Sequence, residues 1–172
     1  DDVVRRTPLV LGYNQVVYPS LSLAAATHYL FIKQINLIHF NNDPNLPLAG
    51  IRLDHQLIHT QPNGEVLIPF LRPRLAYPSF SATDVLHHKI PAGRLEDQLV
   101  FIGATALGWE DLKNTPISRG FPGVEIHADV ACGIVHNHLY YRPYWADLAE
   151  MAILICLGLV FSLIMPLVRS RY

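Results

Sequence analysis

The chain has 172 residues, with 13 lysines and arginines against 14 aspartates and glutamates, and a formal net charge of −1. This balance offers no basic face or stripe of the kind that nucleic-acid binding requires, so it excludes a nucleic-acid partner. The two cysteines, Cys132 and Cys156, exclude a disulfide framework and fit a bacterial envelope protein better than a disulfide-rich secreted module.

The first predicted elements are a strand, a turn and a helix. Residues 3–4 and 9–11 are valines and leucines, which favour a strand, and residues 12–14 follow as a turn. Ser20 can begin a helix as its N-cap, because its hydroxyl can accept a hydrogen bond from a free backbone N–H. Leucine and alanine at 23–26 then favour the helix itself.

A loop and a hairpin are predicted next. Residues 41–47 are rich in asparagine and proline and predict a loop on composition alone. The apolar runs 57–60 and 65–70 flank Gln-Pro-Asn-Gly at 61–64. Asn-Gly between apolar runs is a strong hairpin signal, so we expect these two runs to pair as antiparallel strands.

Two helices and a strand complete the predicted domain. Ser81 stands three residues before Asp84, which predicts a short helix through His88. Residues 99–102 form a compact apolar strand, and after a long loop a helix is expected over 124–136. The order strand, helix, hairpin, helix, strand, helix predicts an α/β domain in which a mixed β-sheet is flanked by helices.

The C-terminal run 151–168 contains no charged residue. As a helix rising about 1.5 Å per residue it would be ~27 Å long, close to the thickness of the hydrocarbon core of a bilayer. Arg169 and Arg171 follow it, which is typical of a cytoplasmic flank under the positive-inside rule. Aromatic residues typical of a membrane interface come before it: Tyr140, Tyr141, Tyr144 and Trp145.

This pattern divides the chain into an outer domain at 1–140, a transmembrane helix at 145–168 and a cytoplasmic flank at 169–172. The alternative is a buried core helix, but helices of that kind seldom run this long without a charge. Because the first residue is Asp1, we expect the chain to be a piece of a longer protein.

The sequence contains no complete catalytic or metal-binding motif. The turn at 103–108 follows a predicted strand, but Trp109, Glu110 and Asp111 come after it, where a phosphate loop needs a lysine and a hydroxyl. The nine histidines include several close pairs, which without a cysteine or carboxylate framework are usually hydrogen-bonded surface or core residues. We therefore predict no catalytic residue, no metal and no cofactor for this segment.

The helix at 124–136 carries two separate stripes at about 100° per residue. One is acidic and is expected to be a solvated face or a subunit contact, with a metal or ligand site as the alternative: Glu125, Asp129, Cys132 and His136. The other is apolar and is the expected core face: Val124, Ala128, Ala131 and Val135. His127 lies away from the acidic stripe, and we interpret it as a structural histidine that braces the loop 103–115.

A candidate ligand site lies where that loop leaves the predicted strand, the position at which open α/β sheets form their ligand crevice. The loop and the start of the next helix supply its residues: Thr105, Trp109, Asp111, Thr115 and His127. A helix N-terminus there favours anionic groups through its free N–H donors. We expect a small polar ligand or a pH-dependent contact through His127, the alternative being that these residues only hold the loop together by hydrogen bonds.

Several blocks of the sequence match a known family in the same order along the chain. They are residues 3–9, 18–21, 81–86, 99–106 and 122–128, with Asp111 and Thr115-Pro116 between the last two. These blocks resemble the CHASE sensor domains of the second type (cyclase/histidine-kinase-associated sensing extracellular domains), and the likeness covers nearly all of residues 1–140. The resemblance implies an extracytoplasmic sensor domain that follows an N-terminal transmembrane helix and precedes three membrane helices and a cytoplasmic output module.

The resemblance implies a class III adenylate or guanylate cyclase as the first choice of output, with a histidine kinase, a serine/threonine kinase or a diguanylate cyclase as alternatives. It further implies a bacterial inner-membrane receptor whose residues 1–140 are periplasmic or extracellular and sense a small molecule or an environmental signal. We expect a homodimer through the parent receptor, to which the small residues Gly158 and Ser162 could contribute. A membrane-tethered metal-dependent hydrolase and a purely structural dimerisation domain stay open as other classes.

Overall fold

The structure is a computed structural model that describes residues 2–14, 16–73, 76–104, 111–143 and 145–169, with the side chains of 166–169 excepted. The chain forms two units, Asp1–Tyr141 and Arg142–Tyr172. The predicted combination of β-sheet and helices followed by an apolar C-terminal helix is confirmed. Within the described residues the strands form four small sheets, all with antiparallel ladders, and Val3 adds a parallel bridge to Asn114.

The predicted first strand is divided into two. β1 (Arg6–Pro8) pairs with a strand much later in the chain, whereas β2 (Val10–Tyr13) pairs with β3 (Val16–Pro19) in a tight hairpin. Gly12 and Tyr13, predicted as part of a turn, therefore belong to β2, and the chain reverses after them at Asn14, whose φ is 49°.

Helix α1 (Leu21–Tyr29) begins where the sequence predicts. The Ser20 hydroxyl accepts a hydrogen bond from the backbone N–H of Leu23 at 3.3 Å, so Ser20 is confirmed as the N-cap. Leu23 and Ala26 are fully buried, because α1 packs against the long helix near the end of the unit.

The next three strands after α1 form an antiparallel sheet. It contains β4 (Ile35–His39), β5 (Leu48–Leu53) and β6 (Gln56–His59), with β5 in the centre. A β-bulge interrupts the pairing of β4 near His39, and a single 3₁₀ turn (Phe40–Asn42) follows it inside the predicted loop.

The predicted pairing of 57–60 with 65–70 is wrong, although the turn between them is present. Gly64 has a φ of 80° and donates its N–H to the Gln61 carbonyl at 2.8 Å. β6 pairs with β5 across the shorter turn at 54–55, while β7 (Glu65–Leu67) pairs with β1. A local turn signal fixes where the chain reverses, whereas the pairing partner is chosen by tertiary contacts that the turn residues do not encode.

The middle of the chain holds one short helix, α2 (Ala82–Leu86), with Ser81 at its N-cap position. The helix ends before His88, and the Ser81 side chain makes no capping hydrogen bond. The predicted strand at 99–102 is wrong, since these residues form no ladder with any described residue. Their burial nevertheless alternates as it would in a strand. Leu99 and Phe101 pack against the core, whereas Val100 and Ile102 are exposed.

Two short strands lead into the last helix of the outer unit. β8 (Leu112–Lys113) pairs with β9 (Phe121–Pro122), and α3 (Gly123–Val135) follows directly, in agreement with the predicted helix. Helices α1 and α3 enclose one hydrophobic core together with the sheets. The fully or almost fully buried members of this core are Leu9, Leu23, Ala26, Ile51, Leu53, Val66, Phe121, Val130, Ala131 and Ile134.

The second unit is dominated by α4 (Ala146–Arg169), a helix of 24 residues. Its segment Ala146–Met165 has a mean hydropathy of 2.5 with no part buried, so its length and composition suit a membrane span. Before the helix, the Arg142 guanidinium lies 2.7 Å from the carboxylates of Asp147 and Glu150. Opposite charges at the start of α4 are thus paired with each other. The predicted interfacial Tyr144 and cytoplasmic Arg171 lie outside the described residues.

Candidate functional site: the environment of helix α3

Helix α3 is buried on more of its circumference than the sequence predicts. Its deepest apolar positions are Ile126, Val130, Ala131 and Ile134, of which only Ala131 belongs to the predicted core face. The other members of that face are only partly buried: Val124, Ala128 and Val135. Because the helix is apolar almost all round, its pattern indicates a buried helix and does not select one face.

The acidic side of α3 is also buried, so the predicted solvated face is wrong for both of its carboxylates. Asp129 is 0% exposed and Glu125 is 8% exposed. Tyr77, from the segment between β7 and α2, donates its hydroxyl to Asp129 Oδ1 at 2.6 Å, and the Arg72 guanidinium lies 5.3 Å from the centre of the Tyr77 ring. Tyr77 thus supplies the hydrogen bond, and Arg72 the nearby positive charge, that a buried carboxylate requires.

Asp129 is only half satisfied. Its Oδ2 atom is buried and has no hydrogen-bond partner among the described residues. An ionised carboxylate with one bare oxygen is costly inside a protein, which favours the neutral acid.

The electrostatics of the pair follow from this burial. Burial raises the pKa of Asp129, the Tyr77 hydrogen bond lowers it, nearby Glu125 raises it and Arg72 lowers it, with burial dominating. The pKa of Tyr77 is raised as well, first by burial and then by its hydrogen bond to Asp129. Tyr77 therefore stays a donor at neutral pH, and Asp129 is the member of the pair that can change its charge.

The remaining two members of the acidic stripe form a separate pair near the helix end. His136 Nδ1 donates to the Cys132 carbonyl at 2.9 Å and lies 3.4 Å from the Cys132 sulfur. Cys132 is partly buried and His136 is exposed. Within the part of the chain that the structure describes, no group of three or more histidine, cysteine, aspartate and glutamate side chains is arranged to hold a metal ion.

Of the predicted ligand-site residues, Thr105 and Trp109 lie outside the described residues. The start of their loop does reach α3, since a Cβ atom at Gly103 would overlap the Val124 side chain. Asp111 also reaches it. The Asp111 backbone carbonyl accepts the Gly123 N–H at 2.9 Å, and its carboxylate lies so close to Gly123 that a Cβ there would overlap it.

The position of the Asp111 carboxylate has a chemical consequence. Free N–H groups and the helix dipole favour a negative charge at the first turn of a helix. Asp111 already supplies one there, so an anionic ligand at this end of α3 would meet a like charge. The arrangement favours a neutral or cationic partner over an anionic one.

Thr115 and His127 are both hydrogen-bonded, but to different parts of the molecule. Thr115 is buried and closes a turn with Ser118, donating to its carbonyl at 2.8 Å and accepting from its N–H at 3.1 Å. His127 Nδ1 lies 3.0 Å from the Ser22 hydroxyl on α1. The structural role predicted for His127 is therefore present, but its described partner is α1 and not the loop 103–115.

Two shallow clefts lie elsewhere on the outer unit. One, of about 290 Å³, follows β4 from Asn36 to His39 and includes Arg52. The other, of about 330 Å³, lies between Val85 and Glu96. Neither is lined by Asp111, Thr115 or His127, so these two clefts do not coincide with the predicted site.

The end of α3 is held by the central sheet through contacts that the sequence analysis missed. The Gln56 side chain on β6 donates to the Ile134 carbonyl at 2.9 Å and to the Asn137 side chain at 3.2 Å. Three residues along the same strand, His59 stacks on Tyr141 with ring centres 4.4 Å apart. A glutamine in a strand does not indicate which distant groups its side chain will contact, so the sequence does not mark Gln56. The burial of Asp129 did have a signal, namely the apolar residues on every side of it.

A known protein family matches almost the whole chain. A model of the CHASE2 domain matches residues 1–163, which includes the outer unit and most of the apolar segment of α4. No curated protein and no solved structure shows a match to this chain. The family is a sensory and not a catalytic one. The chain belongs to the CHASE2 family of extracellular sensor domains of signalling receptors.

Proposed function

We propose that residues 1–140 sense an extracytoplasmic signal and control a cytoplasmic output module through α4, which crosses the bacterial inner membrane. The observation that carries this proposal is the direct succession of the two units. The outer unit belongs to a known sensor family, and after it α4 contains a 20-residue segment with a mean hydropathy of 2.5 and no buried part. In water that segment would expose a continuous apolar surface, which a bilayer removes.

Helix α3 is the element through which a signal would leave the outer unit. It packs on α1, carries the buried Asp129–Tyr77 pair, and its last turn is held by Gln56 of the central sheet. A signal that changes any of these contacts alters how α3 ends, a few residues before the chain reaches the membrane. A receptor of this kind needs only a ligand that binds one of two arrangements more tightly than the other.

The sensing site that we propose is the junction between the loop 103–116 and the start of α3. Support comes from Asp111 over the first residue of α3 and from His127, which joins α3 to α1. Thr105 and Trp109 complete the proposed set, with Thr115 holding the far end of the loop. The ligand would be small, polar and not anionic, or the contact would respond to pH through His127.

Substituting Asp111→Asn and His127→Gln tests this site in the full receptor. A sensing role predicts a lost or shifted response to the stimulus with little change in thermal unfolding. If both variants unfold at lower temperature while the receptor responds normally, the residues are structural and the proposed site is wrong. Thr27→Ser, on the neighbouring helix, is a conservative control because its hydroxyl bonds to its own helix.

For the output module we propose a class III adenylate or guanylate cyclase. Membranes that contain the full receptor would then convert ATP or GTP into the corresponding cyclic nucleotide. Gln56→Ala, which removes the hold on the end of α3, would change that rate, whereas Leu86→Ala on the exposed side of α2 would leave it unchanged. Phosphohistidine, phosphoserine or cyclic di-GMP as the product would assign one of the alternative outputs. Equal rates for wild type and Gln56→Ala would contradict control through α3.

A further inference from the structure

An uncharged apolar surface on the hairpin β2–β3 has no partner among the described residues. Paired residues of an antiparallel hairpin point to the same side, so the pairs Leu11–Tyr18 and Tyr13–Val16 form one face. All four side chains are about half exposed or more, from 49% for Val16 to 68% for Tyr13. A contiguous exposed apolar face of this kind marks an interaction site.

The outer edge of β3 is also open. The Ser20 N–H donates to the Leu9 carbonyl at 2.7 Å, which continues the ladder of the hairpin by one bonded pair. Bonded and non-bonded pairs alternate along an antiparallel ladder. Val17 is therefore in a non-bonded pair with Gly12, and its N–H and carbonyl point away from β2, towards solvent. These are the groups through which a strand adds another strand.

Two other strand edges of the outer unit differ from this one. β4 carries a β-bulge near His39, a device that disfavours edge pairing. The end of β6 is covered by contacts of Gln56 with Ile134 and Asn137 at the end of α3. β3 has neither feature, and its four residues are all exposed. Pro19 at its end has no N–H to donate and limits further pairing, so the open part of this edge is centred on Val17.

Charge indicates what would cover this edge. No aspartate, glutamate, lysine or arginine occurs between Arg6 and Lys33, a span that includes the whole hairpin. In a two-fold contact each residue meets its own counterpart or a close neighbour, so any charge in the patch would meet a like charge. An uncharged edge with a central residue that can both donate and accept is compatible with a copy of itself.

We propose that the hairpin β2–β3 is the contact between the outer units of two receptor copies. The β3 strands of the two copies lie antiparallel about a two-fold axis at Val17, so that each Val17 N–H donates to the partner's Val17 carbonyl. Val16 of one copy then lies opposite the partner's Tyr18, and the two hairpins form one four-stranded sheet with a continuous apolar face. This inference rests on the proposed function, because the shared membrane brings the two copies together in one orientation.

The test is thiol crosslinking of the full receptor in native membranes, with all native cysteines replaced by serine. Val17→Cys is compared with Leu86→Cys, a control at an exposed position on α2 that is 77% accessible. A short homobifunctional maleimide should crosslink the Val17→Cys receptor into a dimer severalfold more than the Leu86→Cys receptor. Adding Tyr18→Glu to the Val17→Cys background should reduce that yield severalfold by placing a charge in the face, whereas adding Leu86→Glu should not change it.

The outcomes separate this inference from the proposed function. Both cysteine variants are first treated in intact cells with a maleimide that does not cross membranes. If both are labelled and Val17→Cys crosslinks no better than Leu86→Cys, the hairpin contact is wrong and the extracytoplasmic location stands. If neither is labelled until the cells are opened, the location is wrong, and the crosslinking yield still decides the contact. A crosslinked product with a mass other than that of a receptor dimer would assign the hairpin to a different partner and overturn the proposal.

Discussion

Helices α3 and α4 reverse the usual relation between polarity and burial. α3 places Glu125 and Asp129 inside the outer unit, whereas α4 leaves large apolar side chains such as Ile155 and Phe161 about 60% exposed. The polarity of each helix therefore does not explain its burial, which depends on its surroundings. α3 obtains hydrogen-bond partners from distant segments, and the length and composition of α4 suit the interior of a bilayer.

Two isoleucines illustrate the difference in burial between the two helices. Ile134 on α3 is 0% exposed and Ile155 on α4 is 59% exposed. Truncating the first leaves a cavity in a packed core, while truncating the second removes contact only with whatever surrounds α4. The two helices can therefore be distinguished by substitutions of one residue type.

The largest expected effect is that of Ile134→Ala. Loss of its side chain from the core should lower the free energy of unfolding of the outer unit by ~2–5 kcal/mol. Ile155→Ala is the matched control and should leave that quantity unchanged. Urea-dependent proteolysis of the outer unit in the purified receptor measures both. Equal destabilisation by the two variants would show that α4 is packed like a core helix.

Ile155→Arg tests whether α4 spans a membrane. An arginine near the centre of a membrane span costs about 3 kcal/mol of insertion free energy. In a fragment of residues 1–172, where α4 is the one candidate span among the described residues, we expect Ile155→Arg to be depleted from the membrane fraction after alkaline carbonate washing, whereas Ile155→Val should be retained. Undiminished membrane retention and yield of the arginine variant would count against a spanning helix.

A smaller effect is expected at the buried pair on α3. Tyr77→Phe removes the only hydrogen bond described for the Asp129 carboxylate, and leaving a buried acceptor unsatisfied costs ~1–3 kcal/mol. Tyr13→Phe, at an exposed tyrosine of the hairpin, is the control and should cost little. A Tyr77→Phe receptor as stable as wild type in the same unfolding assay would mean that the pair adds no stability.

The sequence predicted those features of the fold that are local. The N-cap at Ser20, the turn at Gly64 and the extent of α3 depend on a few neighbouring residues, and all three are confirmed. The partner of β7 and the absence of a ladder at 99–102 depend on residues far along the chain, and both predictions failed.

The candidate site divides in the same way. Asp111 contacts the start of α3 because the pairing of β8 with β9 brings it beside Gly123, 12 positions later in the chain. Its part in a ligand site stays a prediction. Tyr77 could not be found, because a tyrosine 52 positions before Asp129 carries no sign of the contact. The apolar neighbours around the helix indicate that Asp129 is buried, whereas its alignment with Glu125, Cys132 and His136 favours a solvated face.

The smallest effect is a pH dependence carried by Asp129. Burial raises its pKa, so the folded state favours the protonated acid, and this stabilisation is complete below the pKa of the unfolded chain, ~3.9. It is lost as the pH rises through the higher pKa of the folded state. Asp129→Asn cannot ionise and lacks this loss, so its unfolding free energy relative to wild type should increase as the pH rises from about 4. A constant difference between the two across that range would contradict a raised pKa.

We propose that the outer unit and the end of α4 lie on opposite sides of a membrane. Reporter fusions after Tyr172 test it most directly, with alkaline phosphatase active only outside the cytoplasm and green fluorescent protein fluorescent only inside. The same two reporters joined after His138 serve as the internal comparison, with the preceding membrane segment of the receptor kept in place. The account predicts fluorescence without phosphatase activity after Tyr172 and the reverse after His138. Strong phosphatase activity without fluorescence after Tyr172 would contradict it.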